Sequence, residues 1–340
     1  MSTQKVLYLE KAKGPFVVSD APILKPGPGQ LSVKVVSAAL NPVDWQIQAF
    51  DFAISKYPAI LGTDLAGDVV EIGEGVEGFS KGDKVFFQGF FANEFAGFQQ
   101  YTLVPVDIVG KLPSNINYDQ ASTIPLAFTT AAFGLLGPAG ANLDPTLEFK
   151  PKYSGQPAVV YGGSTSVGQF AIQIFKHLGY GPIITYASAR HADFLKSLGA
   201  THVVDRGQVP SSGFAEAAKK IAGAPIKIVF NSVIDGEAST ISLNIVDGDG
   251  EVADVDPEAK SPGDGRKVYA IFGNSHPSNN REFGRVIWKA LPKLVQDGLI
   301  LPNRVEKLPN GLAGIDGGLQ KLKDNKVSGV KLVASPQETA

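Results

Sequence analysis

A glycine turn, Gly162-Gly163-Ser164-Thr165-Ser166-Val167-Gly168, follows the short apolar run Ala158–Tyr161 and constrains the fold more than any other stretch. After it, apolar Val167, Phe170, Ala171, Ile174 and Leu178 recur at helical spacing, and Gly179 stands where a helix stops. The alternation then continues with a strand at Ile183–Tyr186, a helix over Ala192–Leu198 closed by Gly199, and a strand at His202–Val204. A helix over Phe214–Ala222 and a strand over Ile226–Val233 come next, and Val268–Phe272 supplies a later strand. Strand alternating with helix is the pattern of βαβ units around a parallel sheet, so an α/β fold is expected from Gly155 onward.

The first 120 residues have a different texture. Leu31–Ser37 alternates apolar and polar residues as a half-buried strand does, and Leu65–Ile72 and Lys84–Phe87 are further apolar runs between glycine turns. A small barrel or sandwich is expected there. At 340 residues the chain suffices for about two domains. The charge-free stretch Ala121–Leu143 reads as a buried helix, because Pro125, Gly134, Gly137 and Pro138 interrupt it too often for a membrane span. Two long Gly/Pro/Asp-rich segments, Gly137–Gly155 and Asp247–Gly265, read as lids or disordered insertions.

Composition excludes several chemistries. The chain has no cysteine, which removes disulfides, thiolate metal sites, iron–sulfur clusters and thiol catalysis. Its four histidines, His177, His191, His202 and His276, show no metal-ligand spacing, so no metal is expected. Thirty-one basic against 33 acidic residues leave a net charge of −2, with no field to select nucleic acid or an anionic membrane. Lys5 and Glu10 precede any long apolar run, so no secretory leader is read and a cytoplasmic protein is expected.

The glycine turn lies where a dinucleotide fold places its pyrophosphate: small residues admit the phosphates, and a helix N-terminus faces their charge. With Gly162 and Gly168 as the outer glycines, Thr165 stands where the middle one belongs. Gly163, Ser164, Thr165, Ser166 and Val167 are the expected pyrophosphate contacts. The second strand runs into Ser188-Ala189-Arg190-His191 with no acid before Asp193. An NAD site usually has an acid there for the ribose 2′-hydroxyl, whereas a serine hydroxyl and an arginine fork suit a 2′-phosphate. Ser188, Arg190 and His191 are therefore read as an NADPH selector.

Taken together, these features resemble the medium-chain dehydrogenase/reductase superfamily in its zinc-independent branch of quinone and enoyl reductases. Asn41-Pro42-Val43-Asp44 is similar to that family's loop beside the nicotinamide. Gly62-Thr63-Asp64-Leu65-Ala66-Gly67 and Phe79–Val85 are similar to its GroES-like domain, and Thr130-Ala131 to the start of its connecting helix. The variant glycine turn, Ala270-Ile271-Phe272-Gly273 and Val327-Ser328-Gly329-Val330-Lys331-Leu332-Val333 look closest to fungal trans-acting enoyl reductases. The resemblance implies a GroES-like catalytic domain over 1–124, completed by about 298–340, and a Rossmann doubly wound parallel-sheet domain over 125–297, with the cofactor in the cleft between them. It also implies cofactor contacts at Asn41, Pro42, Val43, Asp44, Thr130, Phe272, Gly273, Val327 and Ser328.

Departures from the family pattern are informative. Thr63 stands where zinc alcohol dehydrogenases carry a histidine ligand, so their chemistry is excluded. Phe52 falls where mitochondrial-type enoyl reductases have a proton-donating tyrosine, and Tyr57 is the nearest substitute or else a partly buried structural residue. Arg206 follows Asp205 where fungal relatives often have a tyrosine near the adenine. No catalytic acid is identified; Asp44 is read as holding the ribose or a neighbouring backbone group.

Without metal or thiol, the chemistry belongs to the cofactor. The first reading is an NADPH-dependent reductase of an α,β-unsaturated thioester or ketone, acting free or as the partner of a polyketide synthase. The second is an NADPH:quinone reductase, and the third an NADPH-binding protein with little turnover. Trp45, Phe50, Phe52, Phe90 and Phe91 line an acceptor pocket or, for at least half of them, fill the core. Both monomer and homodimer remain open.

Overall fold

The strand Ala158–Tyr161 is buried on both faces, as a central strand of a helix-covered parallel sheet must be. The computed structural model describes residues 2–340. In chain order the elements begin with β1 (Thr3–Leu9), β2 (Phe16–Pro22), β3 (Gln30–Ala39), α1 (Pro42–Phe50), β4 (Ala59–Ile60), β5 (Asp64–Ile72), β6 (Lys84–Gln88), β7 (Tyr101–Pro105) and β8 (Val109–Lys111). They continue through α2 (Tyr118–Ser122), α3 (Pro125–Leu135), β9 (Ala158–Tyr161), α4 (Ser166–His177), β10 (Ile183–Ala187), α5 (Ala192–Leu198), β11 (His202–Asp205), α6 (Phe214–Ala222) and β12 (Ile228–Asn231). The last are α7 (Ala238–Ile245), β13 (Glu251–Asp254), β14 (Lys267–Ala270), α8 (Ser278–Gln296), β15 (Val305–Lys307), α9 (Ile315–Lys323) and β16 (Lys331–Ala334).

These elements form two units. The first holds the residues up to Leu126 with Asn274–Asp297 and Pro302–Ala340; the second holds Ala127–Gly273 and Gly298–Leu301.

In the second unit six strands lie in the order β11-β10-β9-β12-β13-β14, every pair parallel. The order runs outward from β9 to β11, then restarts at β12 on the other side. Such a reversal opens a crevice at the carboxyl ends of the two strands that flank it, β9 and β12. Tyr161, Tyr186 and Phe214 pack in series as tilted rings, with centroids 5.2 and 4.7 Å apart. At the outer edge the Val268 N–H of β14 donates to Ser261 Oγ at 2.9 Å.

In the first unit β15, β16, β3, β5, β6 and β8 form a mostly antiparallel sheet to which β7 adds by pairing with β3, and β2-β1-β4 form a second sheet. Val333 and Ala334 of β16 pair with Ala39 and Ala38 of β3, which brings the end of the chain onto its beginning.

Four expectations change. The charge-free stretch Ala121–Leu143 is not one helix: α2 ends at Ser122, Pro125 opens α3, and α3 stops at Leu135 before the Gly137-Pro138 turn. Among the described residues no helix is long and apolar enough to cross a membrane. Segment 137–155 is organised by the buried Asp144, which accepts the Phe149 N–H at 2.8 Å and pairs with Lys152 at 2.7 Å. Segment 247–265 contains the strand β13, whose four residues are too few to show against their Gly- and Asp-rich flanks. Finally, 274–297 was expected in the cofactor domain, but α8 packs with the first unit. Its buried Trp288 meets Phe86 edge-on at 5.6 Å, and Arg281 reaches Asp107 at 2.6 Å. Its amphipathic pattern marks a buried face without saying which sheet covers it.

Candidate functional site

Backbone approach decides the geometry of the glycine turn. Gly162 leaves β9 with φ +85°, a conformation disfavoured for other residues. A Cβ at Gly163 would lie 2.0 Å from Thr185 Oγ1, and one at Gly168 would lie 2.4 Å from the Gly162 carbonyl oxygen. Thr165, placed by the sequence at a glycine's position, is the N-cap of α4: its Oγ1 accepts the Gly168 N–H at 2.9 Å. Ser166 and Val167 open α4 directly behind the turn, and a helix N-terminus is the arrangement that suits a phosphate.

The end of β12 completes this crevice with residues that the motif reading missed. Ser232 Oγ lies 2.7 Å from the Tyr161 carbonyl and 2.9 Å from that of Gly162, and donates there. Asn231 brackets Val233, accepting its N–H at 3.0 Å and donating to its carbonyl at 3.0 Å, while also donating to Asp254 at 2.8 Å. Burial raises the carboxyl of Asp254 above the usual range. The available signal was topological: Ser232 directly follows the strand that forms the other wall of the switch point.

At the end of β10, Ser188 is half-buried, Arg190 is exposed and His191 is buried. Arg190 Nε donates to His191 Nε2 at 3.2 Å, and the His191 N–H donates to the Ser188 carbonyl at 3.0 Å. Beside it Asp205, at the end of β11, accepts the Gly207 and Ala189 N–H groups at 3.0 Å each, and these bonds hold its carboxyl below the usual range. Thr130 and Gly273 also meet, because a Cβ at Gly273 would lie 2.4 Å from Thr130 Cα. The Gly273 carbonyl accepts from Thr129 Oγ1 at 2.7 Å, and the neighbouring Phe272 is 56% exposed.

In the first unit Asn41 is the N-cap of α1, with Pro42 in its first turn. Asp44 accepts the Asn41 N–H at 2.8 Å, a bond to neighbouring backbone, which is one of the two roles read for it from sequence beside holding the ribose. Burial, with the nearby Asp64 charge adding to it, pushes the Asp44 carboxyl up to about 7 despite the Asn41 and Gly62 amides and Lys331, which act the other way. Asn41 Nδ2 donates to Asp64 Oδ2 at 2.9 Å, and Lys331 Nζ sits 2.7 Å from that same oxygen while donating to Asn41 Oδ1. Val327 and Ser328 are half-buried in the turn that leads to β16 and Lys331.

The five aromatic candidates are not core residues. Phe50 and Phe52 are 65% and 43% exposed, and Trp45, Phe90 and Phe91 are each half-buried. Trp45 leans on Phe50 at 5.9 Å, and Phe90 stacks on His276 at 5.2 Å. His276 bonds through Nε2 to the Gln88 carbonyl at 2.9 Å, and burial pushes it down to about 4, so it is neutral at pH 7. Tyr57 donates to Asp51 Oδ1 at 2.8 Å; its partial burial and that carboxylate push the phenol up to about 12.

Two family models match the chain: the alcohol dehydrogenase GroES-like domain over residues 27–114 and the zinc-binding dehydrogenase over residues 166–261. Among similar curated proteins, dehydrogenase azaJ of Aspergillus niger is 35% identical, covering 94% of this chain and 95% of its own length. The trans-enoyl reductase ACTTS2 of Alternaria alternata is 29% identical over 98% of this chain and 99% of its own length. A solved alcohol dehydrogenase superfamily protein from Novosphingobium aromaticivorans superposes with a TM-score of 0.78 at 26% identity, covering 97% of this chain and 99% of that one. Zinc does not fit this chain. It has no cysteine, Thr63 is buried where a ligand would stand, and among the described residues no group of three His, Cys, Asp or Glu side chains can hold a metal.

Proposed function

The chain belongs to the medium-chain dehydrogenase/reductase superfamily, and on that premise we propose that this oxidoreductase is an NADPH-dependent reductase of activated, α,β-unsaturated double bonds. The observation that carries the reading is the close-packed glycine turn at the β9/β12 switch point, where Gly163 and Gly168 leave no room for a Cβ. A nicotinamide dinucleotide fits those residues: the glycine turn and the N-terminus of α4 would hold its pyrophosphate, at positions that carry no side chain. Once bound, the cofactor supplies a hydride.

The chain's own residues then have distinct tasks. Ser188 and Arg190 receive the 2′-phosphate. His191 accepts from Arg190 Nε, which leaves the two terminal guanidinium nitrogens for a bidentate phosphate contact. Ser232 and Val233 wall the turn from the β12 side. Thr130, Phe272 and Gly273, with Asn41, Pro42, Val43, Asp44, Val327 and Ser328, are assigned to the remainder of the cofactor. Exposed Phe50 and Phe52 suit an apolar acceptor. The trans-enoyl reductase name of the Alternaria relative supports an enoyl thioester as that acceptor, offered free or by a polyketide synthase.

A second reading, quinone reduction, is favoured by one observation. Tyr57 is committed to Asp51 with a raised pKa, and Phe52 has no proton to give, so no positioned carbon acid is evident in this region. NADPH oxidation followed by absorbance, with a 2-enoyl thioester and a 1,4-quinone in matched assays and NADH as control, separates the two. Thioester turnover sustains the proposal, and quinone turnover alone replaces it with the second reading. NADPH binding with neither acceptor consumed leaves a cofactor-binding protein.

A further inference from the structure

Two buried carboxylates and one buried ammonium meet behind the start of α1, and the functional reading above uses only Asn41 and Asp44 from this group. Lys331 and Asp64 are almost completely excluded from solvent, with side chains 2% and 0% exposed. Lys331 lies on β16, Asp64 begins β5 and Asn41 ends the connection from β3, so three separate strands converge on one carboxamide. Both ends of that carboxamide are engaged. Its oxygen accepts from Lys331 Nζ, and its nitrogen donates to Asp64 Oδ2, the atom that also receives Lys331. Asp64 Oδ1 in turn accepts the Leu126 N–H, which fixes the carboxylate plane.

An ion pair this deeply buried is a costly way to gain stability, because apolar residues of similar volume serve as well or better. What it supplies here is direction. A carboxamide held at both ends cannot flip or rotate, and its backbone N–H is held from the other side by Asp44.

We propose that Lys331 is a positioning residue for the reductase reaction, acting through the Asn41 carboxamide to hold the Asn41–Asp44 turn in its working geometry. The inference rests on the cofactor reading above. Lys331 acts on the turn and not on the cofactor's adenosine or pyrophosphate groups, which are assigned to the second unit. Its loss therefore affects turnover more than binding: a misplaced turn lowers kcat, while the contacts assigned to the second unit retain most of the NADPH affinity.

The test is Lys331→Met, which keeps an unbranched side chain one atom shorter and removes the ammonium. NADPH affinity is read by fluorescence titration, and kcat with whichever acceptor the wild-type protein consumes. The expected result is a kcat lowered by about tenfold or more, with the NADPH Kd within about threefold of wild type. An unchanged kcat overturns the proposal, as does a parallel loss of affinity and turnover, which marks a merely structural lysine. If Lys331→Met does not melt cooperatively, the double variant Asp64→Asn/Lys331→Met, which removes both members of the buried ion pair together, decides. Low kcat with intact binding in that variant sustains the proposal. Wild-type kcat overturns it, because Lys331 then only neutralises Asp64. A wild-type protein that neither binds nor oxidises NADPH instead fails the cofactor reading, and this inference falls with it.

Discussion

Arg190 donates from Nε to Nε2 of His191 at 3.2 Å, so the imidazole accepts at Nε2 and orients the guanidinium. On the proposed reading, Arg190 is the cation at the end of β10 that discriminates between the two cofactors. Arg190→Ala is expected to weaken NADPH binding by about 10- to 100-fold, the worth of a charge-assisted contact of roughly 1.5–3 kcal/mol, and to leave NADH binding within about threefold. Parallel fluorescence titrations with both cofactors check this. Equal losses for the two would remove the selector role from Arg190.

Gly163→Ala pushes a methyl group to 2.0 Å from Thr185 Oγ1, itself fixed by a 2.8 Å bond to the Val160 carbonyl. Overpacking of this kind costs about 1–3 kcal/mol. The variant should lose that much in urea denaturation and lose NADPH binding, and Thr185→Ala in the same chain should recover part of the stability.

The Asp44 carboxyl, ordinarily near 3.8, is raised to about 7 in the fold. The unfolded chain therefore releases this proton first. The stability contributed by the protonated group is fully present below about pH 3.8 and is lost as pH rises through about 7. Asp44→Asn keeps an acceptor for the Asn41 N–H and removes the ionisation. It should flatten the decline in stability between pH 5 and about pH 8, by a contribution on the order of 3 kcal/mol. Denaturant titrations at the two pH values measure the difference; equal slopes for variant and wild type would assign the titration elsewhere.

Tyr57 is a poor proton donor at neutral pH, since its phenol is pushed up to about 12 and its hydroxyl already serves Asp51. Tyr57→Phe should keep kcat within about twofold, because general-acid contributions run to about 10²–10⁴ and none is lost here. A drop in enoyl thioester turnover of that larger size would make Tyr57 the acid after all.

Local chemistry made the second unit readable. The strand Ala158–Tyr161 and the helices Ala192–Leu198 and Phe214–Ala222 have the bounds read from sequence, because Gly199 and Gly223 punctuate their apolar periodicity with left-handed or open backbone. The partner of an amphipathic helix leaves no such local trace, which is why α8 was assigned to the wrong unit. Nor does a network whose members lie far apart: Lys331 reaches Asn41 across 290 positions, and neither residue's neighbours announce the other. The five aromatics beginning with Trp45 were misjudged for a related reason. Apolar side chains fit a core and an exposed face equally well, and only the folded backbone distinguishes the two.

Ser261 has a consequence for how this sheet ends. The outward Val268 N–H of β14 is already satisfied by the Ser261 hydroxyl, which a loop from the same chain supplies. A strand arriving from another molecule therefore finds an occupied donor at this rung and must exchange one hydrogen bond for another. The seam along β14 is guarded at that point by a single hydroxyl, in the way edge strands are blunted against unintended growth.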